Sequence, residues 1–115
     1  MPFYELKDIQ EVPLVNGITI KAIYGSNVSV SFLEFPAYSK IPPHAHPNEQ
    51  VGIVEAGALL YTINGESKLC PAGTAFVIPP NAVHSATVVS DKPARLIDVF
   101  TPTRNIMEPL KYTDR

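Results

Sequence analysis

Between residues 18 and 100 the chain is a succession of short apolar segments, each ended after four to eight residues by glycine, proline, asparagine or a charged turn. Residues 18–24, 28–35, 50–56, 59–63, 75–78, 86–89 and 94–100 fit strands: they are rich in β-branched and aromatic side chains and too short for ordinary helices. Asn64-Gly65, set between Tyr61-Thr62-Ile63 and Glu66-Ser67-Lys68-Leu69, predicts a two-residue hairpin turn, which needs positive φ at both positions. Gly57 and Gly73 suit other tight connections. The twelve prolines, including Pro42-Pro43, Pro79-Pro80 and Pro102, mark strand edges and turns, where a missing amide donor is tolerated. No long helical pattern and no internal repeat compete with an all-β reading.

Length and charge narrow the function classes. At 115 residues and 45% hydrophobic content the chain has enough apolar material for one domain, expected to span residues 1–115. The formal charge is −2 and the basic residues are scattered, so neither nucleic acid nor an anionic membrane is an expected partner. No basic stretch precedes an apolar one near the N-terminus and no apolar run reaches spanning length, which predicts a soluble, cytoplasmic protein. The single cysteine, Cys70, excludes an intramolecular disulfide and reads as a buried, inert thiol.

The three histidines are not scattered. Two stand in His44-Ala45-His46-Pro47-Asn48-Glu49-Gln50 and the third in Ile78-Pro79-Pro80-Asn81-Ala82-Val83-His84. His44, His46 and Gln50 are separated by even steps, so on extended chain they share a face. Three imidazoles and an amide oxygen at His44, His46, Gln50 and His84 are the candidate ligands of one divalent transition metal. Nitrogen-rich donors with one amide oxygen accept zinc, nickel, iron, manganese or copper, so the ion's identity stays open.

These two phrases resemble the paired motifs of the cupin superfamily. The first runs from His44-x-His46 through Gln50 to Gly57, and the second from Gly73 through Pro79 and Asn81 to His84. The resemblance covers roughly residues 28 to 101 and implies a double-stranded β-helix, or jelly-roll barrel. Two positions depart from it. Asn81 replaces the usual glycine, although asparagine tolerates positive φ. Gln50 replaces the usual glutamate, which changes the charge of the site. Cupins are frequently dimers, so the resemblance also implies a homodimer, to which residues 1–17 or the tail from Thr103 are candidates to contribute.

Asp98 is the one carboxylate in the apolar segment Leu96-Ile97-Asp98-Val99-Phe100. On a strand it shares a face with Leu96 and Phe100, and it is either a structural group or a general base inside the cavity. With Thr101-Pro102-Thr103-Arg104 following, this segment is similar to the pectin-degradation cupins of the KdgF type, which linearise unsaturated uronates. The resemblance implies that His44, His46, Gln50 and His84 hold the metal, and that Asp98, Phe100 and Arg104 act on the substrate. Asn48 stands where such proteins often carry a further histidine.

Four neutral ligands leave a bound cation most of its charge, which suits an anionic sugar acid as small-molecule substrate. Arg104 is a candidate for bidentate bonds to its carboxylate, or else a solvated charge beyond the last strand. In the expected reaction Asp98 takes the anomeric proton, the ring opens, and reprotonation of the adjacent carbon gives a keto-deoxyuronate. An iron(II)-dependent dioxygenase using the same histidines and a non-catalytic sugar-binding module are the alternatives. Ile53, Tyr61, Phe76 and Val88 are candidates for pocket or core.

Overall fold

The computed structural model describes residues 2–113. Its strands are β1 (Val12–Pro13), β2 (Thr19–Tyr24), β3 (Ser29–Phe35), β4 (Lys40–His44), β5 (Glu49–Ala56), β6 (Ala58–Ile63), β7 (Glu66–Pro71), β8 (Ala75–Ile78), β9 (His84–Val88) and β10 (Ala94–Thr101). They form two antiparallel sheets, one in the order β1-β2-β3-β10-β5-β8 and one in the order β4-β9-β6-β7. The fold is the expected jelly-roll barrel, and the helical segments among the described residues are two 3-10 turns, Leu6–Asp8 and Val15–Gly17.

The period-two alternation of a strand decides what enters the barrel. On β3, β5 and β10 every second residue is buried, and these inward rows change character along their length. Leu33, Phe35, Val54 and Leu96 meet Leu59 and Val88 of the smaller sheet to close one end with apolar side chains. Each such side chain stabilises the fold by about 1.5–3 kcal/mol on burial. Toward the other end the same rows present Ser29, Ser31, Gln50 and Asp98, all buried. The apolar end supplies stability and the polar end carries the chemistry.

The turns behave as their residues require. Asn64 and Gly65 take φ of 50° and 81°, the hairpin joining β6 to β7. Gly57 takes φ of 76°, and a β-carbon there would lie 2.8 Å from the Ala94 backbone, so both conformation and space demand glycine. Cys70 is buried on β7 and burial pushes its thiol pKa up, as an inert role requires.

Strand β4 was not among the expected strands, Ile53 leaves the interior, and the path of the tail adds a third observation. Strand β4 contains Pro42 and Pro43, read above as edge or turn residues; it lies at the edge of the smaller sheet, where the missing donors cost little, and its register shifts between Ile41 and His44. Ile53 points outward and is 40% exposed, so it belongs to neither pocket nor core. The tail packs back on its own barrel, with Thr113 N–H donating to Pro43 O and Tyr112 bridging His44.

Candidate metal centre

His44 and His84 are direct partners in the pairing of β4 with β9, and their ring centroids stand 4.1 Å apart. The bulge that ends β4 aims His44 inward beside its partner. His46 does not continue that strand. It sits in the connection crossing to the larger sheet, with its ring 5.0 Å from His84 and 6.3 Å from His44. The even spacing to Gln50 is therefore not what brings His46 and Gln50 together; the crossing between sheets does so. Asn81, with φ of 65°, donates its backbone N–H to His46 O at 2.8 Å, stitching the two motifs to each other.

Backbone carbonyls fix the tautomer of all three rings. His44 Nδ1 bonds Pro42 O at 2.8 Å, His46 Nδ1 bonds Asn48 O at 3.1 Å and His84 Nδ1 bonds Ala82 O at 2.9 Å. A carbonyl oxygen only accepts, so each Nδ1 carries the proton and each Nε2 presents a lone pair, the arrangement of metal-ligating imidazoles. Burial keeps the rings neutral: it lowers the His44 pKa to about 4 and the His84 pKa to about 3. His46 is lowered as well, by burial first and then by the Arg104 charge.

Gln50 completes the set. Its side chain acts on Asp98 and Tyr61 in the direction that favours their ionised forms, which places the amide NH₂ on their side. Oε1 is thereby turned toward His46 Nε2, 3.0 Å away. Both atoms are acceptors, and a contact between two lone pairs at this distance is repulsive unless a cation lies between them. His84 Nε2 is buried with no hydrogen-bond partner, a cost that a metal bond would remove. Among the described residues no three His, Cys, Asp or Glu groups form a closed coordination cluster, so the donors converge without being drawn fully together. The residues fit a divalent metal held by His44, His46, His84 and Gln50.

Asp98 lies inside the cavity, buried, with Oδ1 unpartnered. Burial raises its pKa to about 7, against the opposing bond from Gln50. Its register neighbours are Ser31 on β3 and Gly52 on β5, and Gly52 in turn faces Phe76 on β8. A β-carbon on Gly52 would lie 2.9 Å from Asp98 Oδ1 and 2.2 Å from the Phe76 ring, so glycine makes room for both. Gly52 was not among the expected site residues; a glycine in mid-strand was the available signal. Phe100 pairs with Gln50 in register and sets its ring edge-on to His46 at 5.5 Å. Arg104 lines the same small cavity, of about 50 Å³, with His44, His46, Gln50, Tyr61, Asp98 and Phe100. Six of the seven site candidates thus line one cavity, with His84 against the His44 and His46 rings, and Tyr61, whose ring stacks on Phe76 at 4.2 Å, joins them. Val88 lies in the core. The tail supplies a further wall through Leu110 and through Tyr112, edge-on to His44 at 6.1 Å.

This barrel, with its histidines at one end, is that of a cupin. The Cupin domain family matches residues 31–100, and the chain belongs to that family. It is similar to the structure of KdgF from Halomonas sp., at 25% identity and a TM-score of 0.85, covering 94% of this chain and 99% of that one. An oxalate oxidase structure is 27% identical, with a TM-score of 0.74 over 87% of this chain and 59% of that one. H2HPP isomerase of Bacillus subtilis is 27% identical over 85 residues, 73% of this chain. The chain spans 36% of that isomerase's length. No helix among the described residues is long and apolar enough to cross a membrane.

Proposed function

We propose that this cupin is a metal-dependent enzyme that opens the ring of an unsaturated uronate to the linear keto-deoxyuronate. The observation that carries the reading is the company Asp98 keeps: a buried carboxyl with a free oxygen, in one cavity with His44, His46, Gln50 and a guanidinium, and with His84 packed behind the two histidine rings. Support comes also from the likeness to KdgF over nearly the whole of both chains.

The bound divalent ion would act as a Lewis acid, drawing negative charge from the reacting oxygen atoms. Arg104 receives the substrate's carboxylate through paired hydrogen bonds and holds the ring over the site. Phe100 gives the ring an apolar wall and limits water. Asp98, with a pKa of about 7, is poised between proton acceptor and donor near neutral pH. It accepts the anomeric hydroxyl proton as the anomeric carbon's bond to the ring oxygen breaks. The electron pair passes through the former ring oxygen and the carbon–carbon double bond. Asp98 then returns the proton to the far carbon of that double bond. Substrate and product are isomers, and neither oxidant nor reductant enters.

The test is anaerobic incubation of the metal-loaded protein with an unsaturated uronate monomer, with magnetic resonance of the product. The proposal expects the linear keto acid to form faster than in the protein-free control, without oxygen. The likeness to oxalate oxidase favours the oxygen-dependent alternative, and uptake of dioxygen with no anaerobic product would establish that reading instead.

A further inference from the structure

Asn48 is a polar residue with 6% exposure, engaged through its backbone carbonyl and its side-chain amide nitrogen. Its carbonyl accepts the His46 Nδ1–H at 3.1 Å, while its side-chain Nδ2 donates to Pro102 O at 2.7 Å and to Thr103 O at 3.3 Å. The next residue, Arg104, donates its backbone N–H to Ser29 Oγ at 2.9 Å, and Ser29 is 1% exposed. Three successive backbone positions beyond β10 are thus held by two buried side chains, one from the β4–β5 connection and one from β3. Both are far from the segment in sequence, 54 residues for Asn48 to Pro102 and 75 for Ser29 to Arg104.

The residue types match the task. An asparagine amide has two N–H donors and meets two carbonyl acceptors, whereas aspartate would set oxygen against oxygen and alanine would leave both carbonyls unpaired. An arginine side chain carries about 2 kcal/mol of rotamer entropy, so where its guanidinium dwells depends on a fixed backbone. Among the described residues Glu108 acts on that guanidinium by its charge, and no side chain makes a hydrogen bond or ion pair to it; the backbone beneath it is what is held.

We propose that Asn48 and Ser29 are positioning residues that place Arg104 for recognition of a carboxylate on the bound small molecule. The inference rests on the reading of Arg104 as the substrate-carboxylate group. Through the Asn48 carbonyl the same residue supports the His46 ring, so metal ligand and anion receptor share one anchor.

The probes are galacturonate and galactose, saturated sugars that differ by the acid group, measured by calorimetry on the zinc-loaded protein. Zinc affinity is measured in parallel by chelator competition, and folding by near-ultraviolet circular dichroism. Wild type is expected to prefer the acid, and Arg104→Gln to lose that preference. Asn48→Ala and Ser29→Ala are expected to reduce it about tenfold, the cost of one misplaced charge-assisted pair, with zinc affinity within threefold of wild type. The zinc affinity survives because the backbone carbonyl at position 48 remains. An acid preference that depends on Arg104 yet persists in both other variants overturns the positioning role alone. Zinc affinity that falls in step with acid binding also overturns it, leaving Asn48 as a support of His46. A wild type without acid preference overturns the carboxylate reading and the positioning role with it. If Asn48→Ala fails to fold, Ser29→Ala, which removes a single bond, decides the question.

Discussion

Asp98 on β10 lies directly across from Gly52 on β5, and the missing side chain at position 52 is what leaves room for the carboxyl and for the Phe76 ring behind it. Gly52→Ala would force a methyl to 2.2 Å from Phe76 and 2.9 Å from Asp98 Oδ1. The expected outcome is a loss of about 1–3 kcal/mol in urea unfolding from overpacking. Displacement of the carboxyl should lower kcat by at least about tenfold, while KM changes little. Steady-state kinetics beside a urea titration check both.

The pH dependence of stability has opposing parts in the metal-free protein. His44 and His84 have pKa values lowered from 6.5 to about 4 and about 3, so their share of stability is present above pH 6.5 and is lost as pH falls through those values. Asp98 is raised from 3.8 to about 7, so its share is present below 3.8 and is lost as pH rises through 7. Each group contributes a slope of about 1.4 kcal/mol per pH unit where the two states differ in protonation. His46, lowered as well, adds to the histidine losses, and between pH 6 and 4.5 the Asp98 gain offsets part of them. Asp98→Asn removes that offset, and its stability should fall with acid more steeply than that of wild type. The same variant should be the more stable of the two at pH 8, by a few kcal/mol. Urea midpoints across this range test both signs.

Gln50→Glu tests the charge of the ligand set. It would place a second carboxylate beside buried Asp98, whose ionised form Gln50 now favours. Like charges in a buried site repel, so the metal-free variant should melt below wild type at pH 8. Zinc should raise the Tm of the variant more than that of wild type, because the cation then neutralises the pair. Equal zinc-induced shifts in the two proteins would place position 50 outside the ligand set.

The tail sets access. With Leu110 in its wall and Tyr112 against His44, the cavity of about 50 Å³ holds only a few water molecules. A sugar acid needs more room than that, and the tail, through Leu110 and Tyr112, is expected to yield it. Leu110→Ala and Tyr112→Ala should speed the removal of zinc by a chelator several-fold, while leaving the urea midpoint within about 1 kcal/mol of wild type.

What could be read in advance followed local chemistry. Asn64-Gly65 announced its hairpin because few other pairs accept positive φ twice, and strand 75–78 was legible from its apolar run and its boundaries. Asp98 was placed on the correct pair of alternatives because a strand has only two faces. Strand β4 escaped, since two prolines deny it the donors of an ordinary strand and only its edge position tolerates them. Gly52, Asn48 and Ser29 escaped for a different reason. Their roles depend on partners across the sheet or more than 50 residues away, and no local pattern carries that information. The tail was a candidate subunit contact on the strength of the family resemblance alone; its Leu110 lines the chain's own cavity, a placement that no local pattern announces.

The most direct measurement is the anaerobic loss of conjugated absorbance of an unsaturated uronate monomer, followed for metal-loaded wild type, metal-stripped wild type and metal-loaded Asp98→Asn. The account predicts acceleration above the spontaneous rate for the first, and a return to near that rate for the other two. No acceleration by the metal-loaded wild type, or full acceleration by Asp98→Asn, would contradict it.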